Sequence, residues 1–214
     1  MDTNHRLPEI IDCKAFKHTH SRLKAIYTCS SVILYHSTMQ TTKGLAWQLL
    51  LHKLIDMKIL MVCKGNICRS PLAEGIIKTK ANNKDLGWFV DSAAIAAYHI
   101  GKQPHELSQK VALINGVDIS DQKARLFTEE DLENFDIIYA MSADIKEIIE
   151  SRYPGNNRLS KVQLIMNEMH PEQNENVPDP FHFGEKEFHE VYHMLDACGD
   201  VIVEKYGAIE PVVV

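Results

Sequence analysis

The sequence predicts an α/β fold, a doubly wound four-stranded parallel sheet with helices on both faces. Two observations predict it. From Met57 onward, short apolar runs typical of strands alternate with longer runs that have the spacing of amphipathic helices. The residues between these runs include Ser, Thr, Gly and Pro at positions where helices begin and end. The alternation indicates one compact α/β domain over residues 57–214.

The four predicted strands are the short apolar runs. They are KILMVC (58–63), Trp88 to Ser92, FDIIYAM (135–141) and KVQLIM (161–166). The first is the length of a buried strand and ends in a cysteine. Because longer segments separate the four runs, helical crossovers between parallel strands are expected.

The first two helices have start and stop signals. Ser70 is predicted to cap a helix whose first position is Pro71, where a missing N–H has no cost. The next helix, ELSQKVALING (106–116), is predicted to end at Gly116.

Two more helices are predicted in the second half. Thr128 with Asp131 three residues later has the spacing of a helix start. FHEVYHMLDACGDVIVEKY (188–206) has amphipathic spacing and predicts a C-terminal helix.

Composition is that of a soluble globular protein. Of 214 residues, 45% are hydrophobic and 24% charged, and no apolar run approaches the roughly 18 residues that a membrane-spanning helix needs. The N-terminus has no basic start followed by an apolar core, so no secretory signal is expected. Five cysteines are an odd number, which favours reduced thiols and a cytoplasmic location.

Charge is unevenly distributed along the chain. Residues 1–56 contain seven Lys/Arg and four Asp/Glu, which gives a net charge of +3. Since the whole chain has a net charge of −6, residues 57–214 carry −9. An acidic body argues against nucleic-acid partners. Residues 1–56 have scattered His and Lys and few turn signals, and we expect a poorly ordered extension there.

The segment CKGNICRS (63–70) lies between the first strand and the first helix. Ligands of open α/β sheets bind at the carboxyl ends of strands, where a helix N-terminus offers unpaired N–H groups. Gly65 permits a tight loop, the amides of 64–69 can form an anion-binding nest, and Arg69 adds a planar two-pronged donor. The loop therefore predicts a phosphate site beside a nucleophile, Cys63.

The same loop is expected to stabilise a thiolate, the reactive form of cysteine. A helix dipole contributes only about 0.3 to 1 kcal/mol. Hydrogen bonds from the loop amides and the Ser70 hydroxyl, together with the Arg69 charge, must supply the rest.

The string VCKGNICRSP, with YAM (139–141) and VPDP (177–180), resembles the low-molecular-weight protein tyrosine phosphatases. The resemblance covers nearly all of residues 57–206, and residues 1–56 have no counterpart in it. It implies the phosphotyrosine phosphatase I-like fold and hydrolysis of a phosphotyrosine protein or a small aryl phosphate. No cofactor, metal or membrane is implied, and the oligomeric state stays open.

The resemblance also implies catalytic roles. Cys63 would attack phosphorus, while Arg69 and the amides of Lys64, Gly65, Asn66, Ile67 and Cys68 would bind the phosphate oxygens. Asp179, followed by Pro180, matches the general acid.

Other matches imply supporting roles. Asn66, Ser70 and Ser92 match a hydrogen-bond network behind the loop, and Cys68 matches a second cysteine that forms a reversible disulfide with the nucleophile. A packed thiol is the competing interpretation of Cys68. Tyr98 and Phe181 match the aromatic walls of the cleft, and Lys64 adds a positive charge that would favour acidic phosphopeptides.

Some residues depart from the family pattern and bear on cleft shape, loop flexibility and rate. They are Ala94, Ile95, Ser142, Phe181, His182 and Phe183. These departures motivate an alternative function, a non-catalytic phosphate-binding module. Retention of a thiol and a carboxylic acid argues against it, because binding alone needs neither.

Two alternative enzymes share the loop. Phosphoarginine phosphatases have Thr where this chain has Ile67, which favours phosphotyrosine here. Thioredoxin-coupled arsenate reductases need two further cysteines, and none lies between Cys68 and Cys198.

Overall fold

The computed structural model describes residues 57–207. The strands are β1 (Lys58–Cys63), β2 (Phe89–Ala94), β3 (Ile137–Ala140) and β4 (Val162–Leu164). The helices are α1 (Arg69–Asn83), α2 (Glu106–Ile114), α3 (Glu129–Asn134), α4 (Ala143–Arg152) and α5 (Glu185–Gly207). Short 3₁₀ turns span Ala97–His99, Asn157–Lys161 and Ile165–Glu168.

The four strands form one parallel sheet in the order β2-β1-β3-β4. β1 lies inside the sheet, with Cys63 opposite Ala94 of β2 and Val62 opposite Ala140 of β3. The chain leaves β1 toward β2 on one side and returns to β3 on the other, so a crevice forms at the carboxyl end of β1. The predicted fold class is confirmed.

Helices cover both faces of the sheet. One face of β1, including Ile59 and Met61, packs in a core formed with α1, α2 and α5. The opposite face, with Leu60 and Val62, packs against α3 and α4. The alternation of buried side chains along β1 therefore serves two cores, which explains why its sequence is almost continuously apolar.

The ends of three strands differ from their predicted bounds, because of strand pairing or because the residue belongs to a neighbouring helix or turn. β2 continues to Ala94 because that residue still pairs with Cys63. β3 begins only at Ile137, since Phe135 is the C-terminal cap of α3. β4 stops at Leu164, where the chain enters a 3₁₀ turn.

The prediction that Ser70 caps the first helix is wrong. Helix α1 begins at Arg69, with Cys68 as its N-terminal cap. The Ser70 hydroxyl instead donates a hydrogen bond to Cys63 Sγ at 3.0 Å. Pro71 is the third residue of α1, a position whose N–H has no partner within the helix.

The later helix signals are confirmed. Gly116 has a φ of +79°, and its N–H donates to Leu113 O while Val117 N–H donates to Ala112 O, which ends α2 in a Schellman motif. Thr128 and Asp131 form a capping box at the start of α3. α5 starts at Glu185, three residues before the predicted start.

Helix α1 approaches the chain after α2 closely at Gly75. A Cβ at this position would lie 2.4 Å from Ile119 Cγ2 and 2.9 Å from Val117 Cγ1. The absence of a side chain at Gly75 therefore lets α1 pack closely against Val117 and Ile119.

The expectation of a poorly ordered extension over residues 1–56 concerns residues outside those described. Within residues 57–207, no helix is both long and apolar enough to cross a bilayer.

Candidate active site

The loop after β1 forms the floor of a cavity of about 190 Å³. Cys63 ends β1, the loop follows, and Arg69 opens α1. The cavity is lined by Cys63, Lys64, Gly65, Ile67, Cys68, Arg69, Tyr98, His99, Asp179, Phe181 and His182. The structure thus brings residues from three separate parts of the chain to the loop that the sequence singled out.

Three carbonyl groups of the loop backbone accept hydrogen bonds from outside the loop. The carbonyl oxygens of Cys63, Lys64 and Ile67 accept hydrogen bonds from Ile95, Ala96 and His105 N–H, respectively. Within residues 57–207, the amides of Lys64, Gly65, Ile67 and Cys68 donate to no protein acceptor. A loop with satisfied carbonyls and free N–H groups is suited to bind an anion.

Asn66 holds the loop from behind. It is buried and has a φ of +53°, in the left-handed region that Asn tolerates. Its side-chain amide donates to Ser70 Oγ at 3.0 Å and to Ser92 Oγ at 2.8 Å. Its Oδ1 accepts from the Arg125 N–H at 3.0 Å. All the polar side-chain atoms of Asn66 are therefore used to fix the loop.

Two hydrogen bonds converge on Cys63 Sγ. The sulfur accepts from the Asn66 N–H at 3.2 Å and from the Ser70 hydroxyl at 3.0 Å. Both donors are buried, so neither hydrogen bond competes with bulk water.

Glu74 extends the network and was missed by sequence reasoning. It is buried on α1, and its Oε2 accepts from Ser92 Oγ at 2.6 Å. Burial raises its pKa to about 7, and the hydrogen bond from Ser92 opposes part of that effect. A carboxylic acid within the apolar run PLAEGII was the available signal, because such a residue needs a buried partner.

Arg69 and Asp179 meet across the cavity. Arg69 Nη2 donates to Asp179 Oδ2 at 2.6 Å, and Nη1 donates to Val177 O at 3.3 Å. Arg69 Nε is buried without a partner among residues 57–207. The guanidinium therefore keeps an unused donor on a buried group, as expected of a ligand for an incoming anion.

The cavity walls are aromatic, and both residues predicted to form them line the cavity. Phe181 lines one side, and Tyr98 lines the cavity with 72% of its surface exposed. His99, which sequence reasoning missed, contacts both the loop and Phe181. A Cβ on Gly65 would lie 3.0 Å from His99 Cδ2, and the His99 and Phe181 rings are 5.9 Å apart. Gly65 thus leaves room for this close approach.

Cys68 lies beside the nucleophile as a buried free thiol. Burial, followed by the charge of Cys63, raises its pKa to about 12. Cys68 is therefore a poor nucleophile in this reduced state. Cys198 is also buried and free, in contact with Met166 on the α5 side of the core, and burial raises its pKa to about 12.

The residues that depart from the family pattern lie in different parts of the structure, and only some of them line the cavity. Ala94 and Ile95 are buried and do not line the cavity, and Ile95 packs with the α3 and α4 core. Ser142 is the N-terminal cap of α4. Phe183 is exposed and does not line the cavity, whereas Phe181 and His182 do.

Potential metal ligands are not gathered anywhere in residues 57–207. No group of three or more His, Cys, Asp or Glu side chains in this part of the chain has the geometry to hold an ion.

Sequence comparison identifies relatives of the described region. The family model described as low molecular weight phosphotyrosine protein phosphatase matches residues 58–205. A putative low molecular weight protein-tyrosine-phosphatase from Synechocystis is 36% identical over 149 residues, which cover 68% of this chain and 94% of that protein.

Structure comparison agrees. A protein tyrosine phosphatase from Entamoeba histolytica is 35% identical, with a TM-score of 0.64 over 71% of this chain and 97% of that one. Wzb from Vibrio vulnificus, solved in complex with benzylphosphonate, is 28% identical, with a TM-score of 0.63 over 70% of this chain and 98% of that one.

Proposed function

Since this chain belongs to the low molecular weight phosphotyrosine protein phosphatase family and is thus a phosphoric monoester hydrolase, we propose that it hydrolyses phosphotyrosine through a phosphocysteine intermediate on Cys63. Its substrates are phosphotyrosine-containing proteins or small aryl phosphates, and it needs no cofactor.

One observation carries the proposal. Cys63 Sγ accepts two hydrogen bonds in a cavity that is also lined by a carboxylic acid, Asp179. A thiolate and an acid on opposite sides of a phosphate site are what in-line displacement at phosphorus requires.

In the first step, the phosphate oxygens bind the free loop amides and Arg69, replacing the contact between Arg69 and Asp179. Cys63 Sγ then forms a bond to phosphorus as the bond from phosphorus to the phenolic oxygen breaks. Asp179 gives its proton to that oxygen, and tyrosine leaves. The amides and guanidinium stabilise the equatorial oxygens in the transition state.

In the second step, water attacks the phosphocysteine. The Asp179 carboxylate accepts a proton from the water as the new oxygen–phosphorus bond forms. The sulfur–phosphorus bond breaks, which releases inorganic phosphate and regenerates the thiolate. Ser70 donates to this sulfur at 3.0 Å and stabilises it as the leaving group.

The aromatic walls support an aryl substrate. Tyr98, His99 and Phe181 flank the entrance, and flat rings on two sides suit a phenyl group above the loop. The benzylphosphonate in the Vibrio relative likewise joins an aromatic ring to a phosphorus oxyanion. The buried apolar side chain of Ile67 is consistent with the choice of phosphotyrosine over phosphoarginine.

We further propose that residues 57–214 are the phosphatase domain and that the protein acts in the cytoplasm. A nucleophilic thiolate survives best where thiols are kept reduced. Fractionation of cells that express the full chain tests the location, and recovery outside the cytoplasmic fraction would contradict it.

Substitution of the nucleophile tests the mechanism directly. We expect Cys63→Ser to abolish hydrolysis of an aryl phosphate, because a hydroxyl at this position is a far weaker nucleophile, while the loop still binds phosphate. Rapid acid quench and mass spectrometry of the unsubstituted enzyme should find a phosphate adduct on Cys63. Turnover at an unchanged rate in Cys63→Ser would refute the mechanism, and Cys198→Ser serves as the cysteine control.

Substrate comparison separates the alternative functions. Matched phosphotyrosine and phosphoarginine peptides should show faster release of phosphate from phosphotyrosine. Faster release from phosphoarginine would transfer the assignment to that activity. Binding of both peptides without any hydrolysis would indicate a phosphate-binding module.

A further inference from the structure

Three basic side chains surround the mouth of the cavity. Lys64, His99 and His182 all line it. Among the described residues that line the cavity, Asp179 alone is acidic, and it is paired with Arg69 at 2.6 Å. Lys64 forms no ion pair with any residue in 57–207. The mouth therefore offers one lysine and two imidazole rings as hydrogen-bond donors, whereas residues 57–214 carry a net charge of −9 with histidine counted as neutral.

The position of His99 is fixed by packing. Its ring lies against Gly65 on one side, where a Cβ would be 3.0 Å from Cδ2, and tilts against Phe181 at 5.9 Å. The side chain is half-buried. Its imidazole is thus held beside the phosphate loop and at the cavity wall.

His182 approaches the same wall from the solvent side. Its ring meets Phe181 edge-on at 4.8 Å, and the residue is exposed. Lys64, also exposed, follows the nucleophile directly in the chain. When a phosphotyrosine reaches Cys63, the peptide on either side of it must pass over this rim, because the cavity admits little more than one side chain at about 190 Å³.

We propose that Lys64, His99 and His182 form a second anion subsite, which binds a carboxylate side chain next to the phosphotyrosine and selects acidic phosphopeptides. The inference rests on the proposed function for the placement of the phosphotyrosine itself. An ammonium group and imidazole N–H groups donate charge-assisted hydrogen bonds to carboxylates. Exposed pairs are individually weak, so the three together should favour an acidic peptide about three- to tenfold.

Peptide binding without turnover tests the subsite. Two phosphotyrosine peptides are compared that differ only by Glu or Gln at the positions flanking the phosphotyrosine, and the full chain carries Cys63→Ser to prevent hydrolysis. We expect the Glu peptide to bind about three- to tenfold more tightly at low salt, with a smaller ratio in high salt. Lys64→Gln/His99→Gln/His182→Gln in this background should bring the ratio close to one.

A matched control carries the same substitutions elsewhere. Lys186, His189 and His193 lie on α5 and do not line the cavity. Lys186→Gln/His189→Gln/His193→Gln removes one lysine and two histidines, as the rim variant does. It should leave the ratio of the two peptide affinities unchanged. An equal fall in both triple variants would overturn the subsite, because the preference would then come from total charge.

Other outcomes also decide the question. Equal affinity for the two peptides before any rim substitution would overturn the inference, as would failure to bind either one. Hydrolysis of a small aryl phosphate by the unsubstituted enzyme tests the proposed function separately, since that substrate has no flanking carboxylate.

Discussion

At the level of single residues, the site is organised by the direction of its hydrogen bonds. Asn66 donates to two hydroxyl groups, Ser70 passes its hydrogen to Cys63 Sγ, and Ser92 passes its hydrogen to Glu74. Each hydroxyl group can donate only one hydrogen bond. An acceptor at each end of this hydrogen-bond network therefore fixes the direction of every bond in it. Glu74 is that acceptor at the end remote from the sulfur.

Asp179→Asn tests the proton donor. The asparagine keeps the size of the side chain and an oxygen facing Arg69, but it has no acidic proton. We expect kcat for phosphotyrosine to fall about 10²- to 10⁴-fold, with a smaller loss for aryl phosphates whose leaving groups need no proton. A plot of log kcat against leaving-group acidity measures this.

The control for Asp179→Asn is Glu172→Gln, an exposed acid in the same long loop. It should leave the plot unchanged. If Asp179→Asn lowered kcat equally for good and poor leaving groups, Asp179 would not be the acid.

Glu74 predicts a pH dependence of stability. Because burial raises its pKa from 4.5 to about 7, the folded protein keeps this proton at pH values where the unfolded chain has released it. The free energy of unfolding should therefore fall as pH rises from about 4.5 to about 7, by on the order of 3 kcal/mol from this group. Glu74→Gln should remove that fall, measured by urea unfolding at pH 4.5 and pH 8.

The exposed Glu147 provides the comparison, since Glu147→Gln changes the same chemical group on α4. It should not alter the pH dependence. A Glu74→Gln variant with the original slope would show that the carboxyl group is ionised in the folded protein throughout this range.

The sequence pattern was enough to identify the residues that lie together in one loop. Cys63 and Arg69 stand together in CKGNICRS, whereas the role of Asp179 was implied only by the resemblance of the VPDP string to the family pattern. His99 and Glu74 were not predicted, because their roles arise from contacts with Phe181 and Ser92, which are distant in sequence. Such contacts are properties of the folded chain alone.

At the level of elements, α1 connects the active-site loop to the core. It begins at Arg69 inside the loop and packs its buried face against β1, β2 and α5. Its start was predicted two residues late, since Ser70 has the residue type of a cap. The preference of serine for that position is outweighed here by its bond to Cys63 Sγ.

Gly75→Ala tests how tightly α1 is seated. Alanine normally favours a helix interior over glycine by about 1 kcal/mol. Here its Cβ would lie 2.4 Å from Ile119 Cγ2, so we expect destabilisation of about 1 to 3 kcal/mol. A lower urea midpoint with an unchanged m-value would measure it.

Lys78→Ala on the exposed face of α1 is the control and should change stability little. Greater stability in Gly75→Ala would mean that the loop around Ile119 relaxes to admit a methyl group, contrary to the expectation.

At the level of the whole molecule, the sheet order β2-β1-β3-β4 explains why one crevice carries the site. The order of short apolar runs predicted a parallel sheet, because each run is followed by a segment long enough to cross over. It did not predict the strand ends. Phe135 is the C-terminal cap of α3 and Ile165 begins a 3₁₀ turn, so neither belongs to a strand.

A chain that starts at Met57 tests the domain boundary. All the residues that line the cavity and the whole family match, 58–205, lie within it. We expect kcat/KM for an aryl phosphate to equal that of the full chain. An unfolded or inactive product would show that residues 1–56 are required, and circular dichroism would distinguish the two cases.

The contact between Arg69 and Asp179 joins residues 110 positions apart and engages one nitrogen of the guanidinium that is proposed to bind phosphate. The Asp179 carboxylate therefore competes with any free oxyanion for Arg69. Because phosphate binds productively only when the carboxylate has moved away, its apparent affinity is reduced by the fraction of molecules in which Arg69 is free. An aryl phosphate ester regains this affinity through contacts of its aromatic ring with the cavity walls. Inorganic phosphate has no ring, so the competition from Asp179 favours its release as the product.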